Sequence, residues 1–118
     1  MSKWNKSAAK SRSYNLATEA TAVIRVRDIC LTARAAAEIT AVDSENAEAV
    51  RAYENAKEKS IAVAEGIPDE FYRDTALHFI YALCQRANDH ATMKRIFDRI
   101  ATDKIRGNIL DGRPALFE

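Results

Sequence analysis

The sequence predicts a small all-α domain, and three observations carry that reading. Only three Gly and two Pro occur in 118 residues, whereas a sheet needs frequent turns. Alanine is plentiful, and apolar residues recur at three- and four-residue spacing over four successive stretches. With 47% hydrophobic and 30% charged residues, the composition is that of a globular chain. Its length suffices for one core without metal or disulfide support. The expected architecture is a four-helix antiparallel hairpin array or bundle, with helices near 16–42, 45–65, 70–87 and 90–105. They form one domain over 15–118, preceded by a basic flexible arm at 1–14.

The arm, MSKWNKSAAKSRSY, carries Lys3, Lys6, Lys10 and Arg12 with no acid and lacks helical apolar periodicity. Trp4 and Tyr14 would be available to stack if it touched phosphates or an acidic partner. The first helix is indicated by Leu16, Ala20, Val23, Ile24, Cys30, Leu31, Ala35, Ile39 and Val42, which approximate a 3.6-residue period. Ala33, Ala35, Ala36 and Ala37 leave little side-chain bulk, so another helix can approach closely there. Asp43 or Ser44 is expected to cap the second helix. That helix turns Ala49, Val50, Ala52, Tyr53, Ala56, Ser60, Val63 and Ala64 to one side. Gly66-Ile67-Pro68-Asp69 then reads as a stop and restart. Gly66 suits a left-handed position after the helix, Pro68 forbids continuation, and Asp69 and Glu70 favour a new helix N-terminus.

The third helix organises the chain. Tyr72, Ala76, Leu77, Phe79, Ile80, Tyr81, Leu83, Cys84 and Ala87 cover roughly 200° of its circumference, about twice what a helix lying on a core requires. It should therefore be packed on two sides, with a narrow polar strip of Asp74, Thr75, His78, Gln85 and Arg86 left over. The fourth helix has one apolar face, Met93, Ile96, Phe97, Ile100 and Ala101, and an outward face with Lys94, Arg95, Arg99 and Asp98. Helix three is thus inner and helix four outer. Gly107, Asp111, Gly112 and Pro114 should limit the chain beyond helix four to a short turn.

A net charge of +1 gives no overall attraction to nucleic acid or anionic lipid. No apolar run of about 20 residues or signal-peptide core is present, so a cytoplasmic, non-membrane protein is expected. Cys30 and Cys84 sit in apolar helical contexts without CxxC spacing, so they are expected to be buried free thiols. The chemistry of catalysis is hard to find. His78 and Cys84 lie about 120° apart on one helix and form no dyad there. No zinc-ligand spacing or glycine-rich phosphate loop occurs, and Glu65, Asp69 and Glu70 read as capping groups. No metal, cofactor or enzymatic activity is expected.

Sliding the chain by 33 residues pairs IPDEFYRDTAL (67–77) with IATDKIRGNIL (100–110), aligning Ile67 with Ile100, Arg73 with Arg106 and Leu77 with Leu110. On these residues the stretch from about 67 to 110 resembles tetratricopeptide-like repeats. Leu77, Ile80, Cys84, Ala87, Phe97 and Ile100 fall where that family places core residues. Tyr81 and Met93 stand where it has small ones, so the hairpin should splay. The resemblance implies that Thr75, His78, Gln85 and Arg86 line a concave ligand face. Phe71, at the same angle one turn earlier, would supply an apolar floor.

The functional expectation is a non-enzymatic protein–protein interaction module (adaptor, chaperone, inhibitor or regulator). It would bind an unidentified protein through a helical groove that includes Phe71, Thr75, His78, Gln85 and Arg86. The alternative is a nucleic-acid-associated regulator using the basic arm and the Lys94, Arg95 and Arg99 face, although helix three is too apolar to lie in a DNA groove. Homodimerisation through the alanine-rich first helix is compatible with either.

Overall fold

The computed structural model describes the backbone of residues 2–116 and the side chains of residues 18–116. Five helices succeed one another: α1 (Ser2–Val42), α2 (Ala47–Glu65), α3 (Glu70–Arg86), α4 (His90–Arg99) and α5 (Asp103–Leu110), with no strand among the described residues. The all-α class is as expected; the count and several boundaries are not.

Helix α1 starts at Ser2 rather than near position 16 and runs for 41 residues. At 1.5 Å per residue it is about 61 Å long, which accounts for the longest dimension of the molecule, 62 Å. Extension past position 16 needs no apolar period. Once a helix is nucleated, each further residue adds a hydrogen bond at little cost. The basic stretch at 1–14, with Trp4 and Tyr14, lies outside the residues whose side chains are described.

α1 and α2 run antiparallel, with Thr21 and Arg25 at the level of Lys59, and Ile39 at the level of Glu48. Asn46, rather than Asp43 or Ser44, caps α2: its Oδ1 accepts the Ala49 N–H at 3.1 Å. Asp43 instead accepts the Glu45 N–H inside the turn. The inward seam of α1 is Val23, Val26, Cys30, Ala33 and Ala37, with alternating spacings of three and four. Ile24, Leu31, Ile39 and Val42, expected on that seam, are exposed. The helix is apolar on two sides, and the side that carries Ala33 and Ala37 lets α2 and α3 come closer.

α3 packs against each of the other four helices. Its residues 74–80 are buried without interruption, so the helix is enclosed on more than the two sides expected. The turns around it differ from expectation in one instructive way. Gly66 has φ −81°, an ordinary right-handed conformation, and a Cβ added there would meet only Val63 O at 3.5 Å and Ala62 O at 3.7 Å. The left-handed residue is Asn88, φ 56°, after α3. There the Asn88 N–H bonds to Gln85 O (3.1 Å) and the Asp89 N–H to Cys84 O (2.9 Å), a Schellman closure.

α4 stops at Arg99 instead of continuing to 105, and α5 replaces the expected short turn. The cause is Asp74, fully buried on α3. Its Oδ2 accepts the N–H groups of Ala101 (3.1 Å) and Thr102 (2.9 Å) and the Thr102 hydroxyl (2.6 Å). Those bonds hold the chain out of helix at Ile100, whose ψ is 119°. The 33-residue offset coincides with the starts of α3 at Glu70 and α5 at Asp103, and both Ile67 and Ile100 are buried. The correspondence is confined to these two turns: α4 has 10 residues against 19 in α2, and α5 has 8 against 17 in α3.

Candidate interaction groove

The residues singled out on helix three do not form one surface. Thr75 (1% exposed) and His78 (4% exposed) are buried, and the Thr75 hydroxyl donates to Phe71 O at 2.8 Å. They cannot line an open groove, because the side of α3 left over by the apolar arc is itself covered in the packed molecule. Phe71, Gln85 and Arg86 remain exposed. Phe71 stacks edge-on against Tyr72, and Arg86 Nη1 pairs with Glu38 Oε1 of α1 at 3.0 Å. The basic face also divides: Lys94, Arg95 and Arg99 are all exposed, but Arg99 is paired with Glu65 of α2.

Between α2 and the start of α4 lies a polar cluster. Asp89 caps α4 by accepting the Thr92 N–H (3.2 Å), and its Oδ2 takes the Tyr53 hydroxyl (2.7 Å) and Lys57 Nζ (2.9 Å). Burial opposes ionisation of Asp89, but the bonds from Tyr53, Lys57 and Thr92 outweigh it and hold the carboxyl well below its usual range. Desolvation also pushes the Tyr53 phenol up, with Cys84 and Asp89 adding to it. Every polar partner here is internal, so the cluster ties α2 to the α3–α4 turn. The two cysteines are buried and free. Burial raises the Cys30 thiol to about 12, partly countered by a hydrogen bond with Ser60, and raises Cys84 as well. Thiols in that state are not nucleophiles at neutral pH.

An open concavity lies elsewhere, along the seam between α1 and α2. A cavity of about 720 Å³ is bounded by Thr21, Ile24, Arg25, Asp28, Ile29, Thr32, Ala33 and Ala36 on α1 and by Ala52, Asn55, Ala56 and Lys59 on α2. A second, of about 440 Å³, shares Thr32, Ala36 and Ala52 with it and continues past Ala35, Ile39 and Ala49 to Asn46 and Glu48. Together they make one trough. Alanines at its floor remove side-chain bulk between two helices, and Ile24 and Ile39 stand at its wall. Backbone groups along both helices are already paired, so the trough offers apolar contact rather than convergent donors. Its charged lining is Arg25 and Lys59 at one end, Asp28 further in, and Glu48 at the other end. The outer face of α1 continues the apolar character. Four of the six large hydrophobic residues exposed among the described residues are Ile24, Leu31, Ile39 and Val42. The signal was in the sequence as an α1 with apolar residues on two sides, which a helix covered on one side does not need.

No group of three or more His, Cys, Asp or Glu among the described residues is placed to hold a metal ion. No helix among them is long and apolar enough to cross a membrane. Compared with known proteins, the chain matches no family model, no curated protein and no solved structure.

Proposed function

We propose that the chain is a protein–protein interaction module, without an enzymatic role, whose working surface is the α1–α2 trough and the outer face of α1. The observation that carries this reading is the concentration of exposed Ile24, Leu31, Ile39 and Val42 beside an alanine-floored trough. Isolated surface hydrophobics are ordinary, but four large ones exposed on one helix beside an open trough point to an interface. The fitting partner element is a helix that presents apolar side chains at i, i+3, i+4 and i+7. Phe71, Gln85 and Arg86 lie outside the trough, and Arg86 braces α3 against Glu38. The nucleic-acid alternative has the exposed Lys94 and Arg95 in its favour, with Arg99 engaged by Glu65.

The test compares three baits in the native host: the unaltered chain, Ala52→Arg, which fills the trough, and Arg86→Ala, which leaves it open. A protein retained by the first and third and lost with the second supports the reading. Retention unaffected by Ala52→Arg, or salt-dependent binding to random duplex DNA without any protein partner, would overturn it.

A further inference from the structure

We infer that the occupant of the outer face of α1 is a second copy of the chain, with the two α1 helices antiparallel about a two-fold axis near the level of Ala33. This rests on the interaction reading above and names its partner.

The spacing of the outer residues carries the inference. At 100° per residue, Ile24, Leu31, Ala35 and Val42 fall within about 40° of arc on α1. Their intervals along the chain, seven, four and seven, read the same in both directions. In an antiparallel two-fold pair, residue i of one copy meets the residue whose number completes a constant sum in the other. A single register therefore sets Ile24 against Val42 of the second copy and Leu31 against Ala35, twice over. All four are exposed. Setting leucine against alanine lets a large side chain enter the space left by a small one.

Charge selects the same arrangement. The end of the trough near the start of the seam carries Arg25 and Lys59 beside Asp28, whereas the other end carries Glu48, with Asp43 and Glu45 exposed next to it. A two-fold axis brings the first end of each copy onto the second end of the other. In an antiparallel pair each flank of the seam meets the same flank of the second copy, so Arg25 of one copy comes to the level of the acidic turn that follows Val42 in the other. The like charges that the register brings near each other, Asp28 and Glu38, are already engaged within their own chain. Asp28 is paired with Arg27, and Glu38 with Arg34 and Arg86. Arg27 lies on the same flank as Glu38, so the second copy adds a further cation to each Glu38. A parallel pair would instead set acidic ends together.

The experiment uses the full chain. Sedimentation equilibrium should give twice the chain mass, and Leu31→Glu, at a position 48% exposed, should give a folded single chain with unchanged helical circular dichroism and a thermal midpoint that no longer rises with protein concentration. Register is read separately with the double variant Ile24→Cys and Val42→Cys under mild oxidation. Those positions are 18 residues apart on one helix, about 27 Å, and cannot join within a chain. The buried Cys30 and Cys84 do not compete. A covalent dimer in the double variant, absent from either single variant, is the expected result. A single-chain mass for the unaltered protein at 100-fold concentration steps, or cross-linking of Ile24→Cys alone, would overturn the inference. A single-chain mass combined with partner capture that is lost in Ala52→Arg would overturn only the identity of the occupant and leave the interaction reading standing.

Discussion

Replacing Asp89 by alanine removes three bonds at once and should destabilise the fold well beyond the range of an ordinary surface substitution. Asp89 caps α4 through Thr92 N–H, and loss of such a cap costs about 1 kcal/mol. It also accepts from Tyr53, whose side chain is 1% exposed and would keep a hydroxyl without a charged acceptor. A hydrogen bond to a charged group contributes about 1.5–3 kcal/mol. The Lys57 pair is partly solvated and linked to Glu54 as well, so it adds little. Because the three share one carboxylate they do not sum, and the expected loss is about 3 kcal/mol. For a domain of this size that lowers the thermal midpoint by roughly 10–15 °C. Urea and thermal unfolding monitored by circular dichroism measure it. Asp89→Asn, which keeps a capping oxygen, should lose less. The sign of the pH dependence is set by the same bonds. The folded carboxyl titrates below its ordinary value of 3.8, so the stabilisation is fully present above that pH and is lost as pH falls toward the folded value. The unaltered protein should lose stability below about pH 4, with a shallower slope in Asp89→Ala. A loss under 0.5 kcal/mol at neutral pH, or an unchanged acid slope in the variant, would refute the account.

Gly66→Ala should be neutral or slightly stabilising in urea melts, because φ is right-handed and the added methyl meets only ordinary contacts. Gly107→Ala, inside α5 with nothing within 4 Å of the new Cβ, should stabilise by about 0.5–1 kcal/mol in the same assay. Cys30 and Cys84 should resist a thiol reagent in the native state and react together on unfolding, since both are buried and their thiols are raised. Immediate labelling of either would show that the centre of the bundle opens readily.

Much of this architecture is written locally. Helical class, the end of α1 at Val42, the stop at Glu65, the restart at Glu70 and the break after Arg86 depend on period, caps and proline, all of which act within a few residues. The central place of α3 was legible for the same reason, because apolar residues over more than half of a helix's circumference demand several neighbours. The burial of both cysteines could be read from their surroundings on each helix.

Other features depended on partners distant in the chain. α4 ends where it does because Asp74, 27 residues before Ala101, accepts two backbone N–H groups; the 33-residue offset marked the place of the restart but not this partner. Which side of α1 turns inward was undecidable from period alone, since Val23–Ala37 and Ile24–Val42 both describe helical seams, and the small residues of the first won by allowing closer approach. That choice left the second seam outside and created the trough. Sequence alone leaves the polar strip on α3 open, because hydrophobic arc counts only what must be covered. Thr75 and His78 are covered as well, since the four helices packed around α3 enclose residues 74–80 on every side. Periodicity determines that a face will be buried; only the assembled helices decide which polar residues go in with it and which apolar ones stay out.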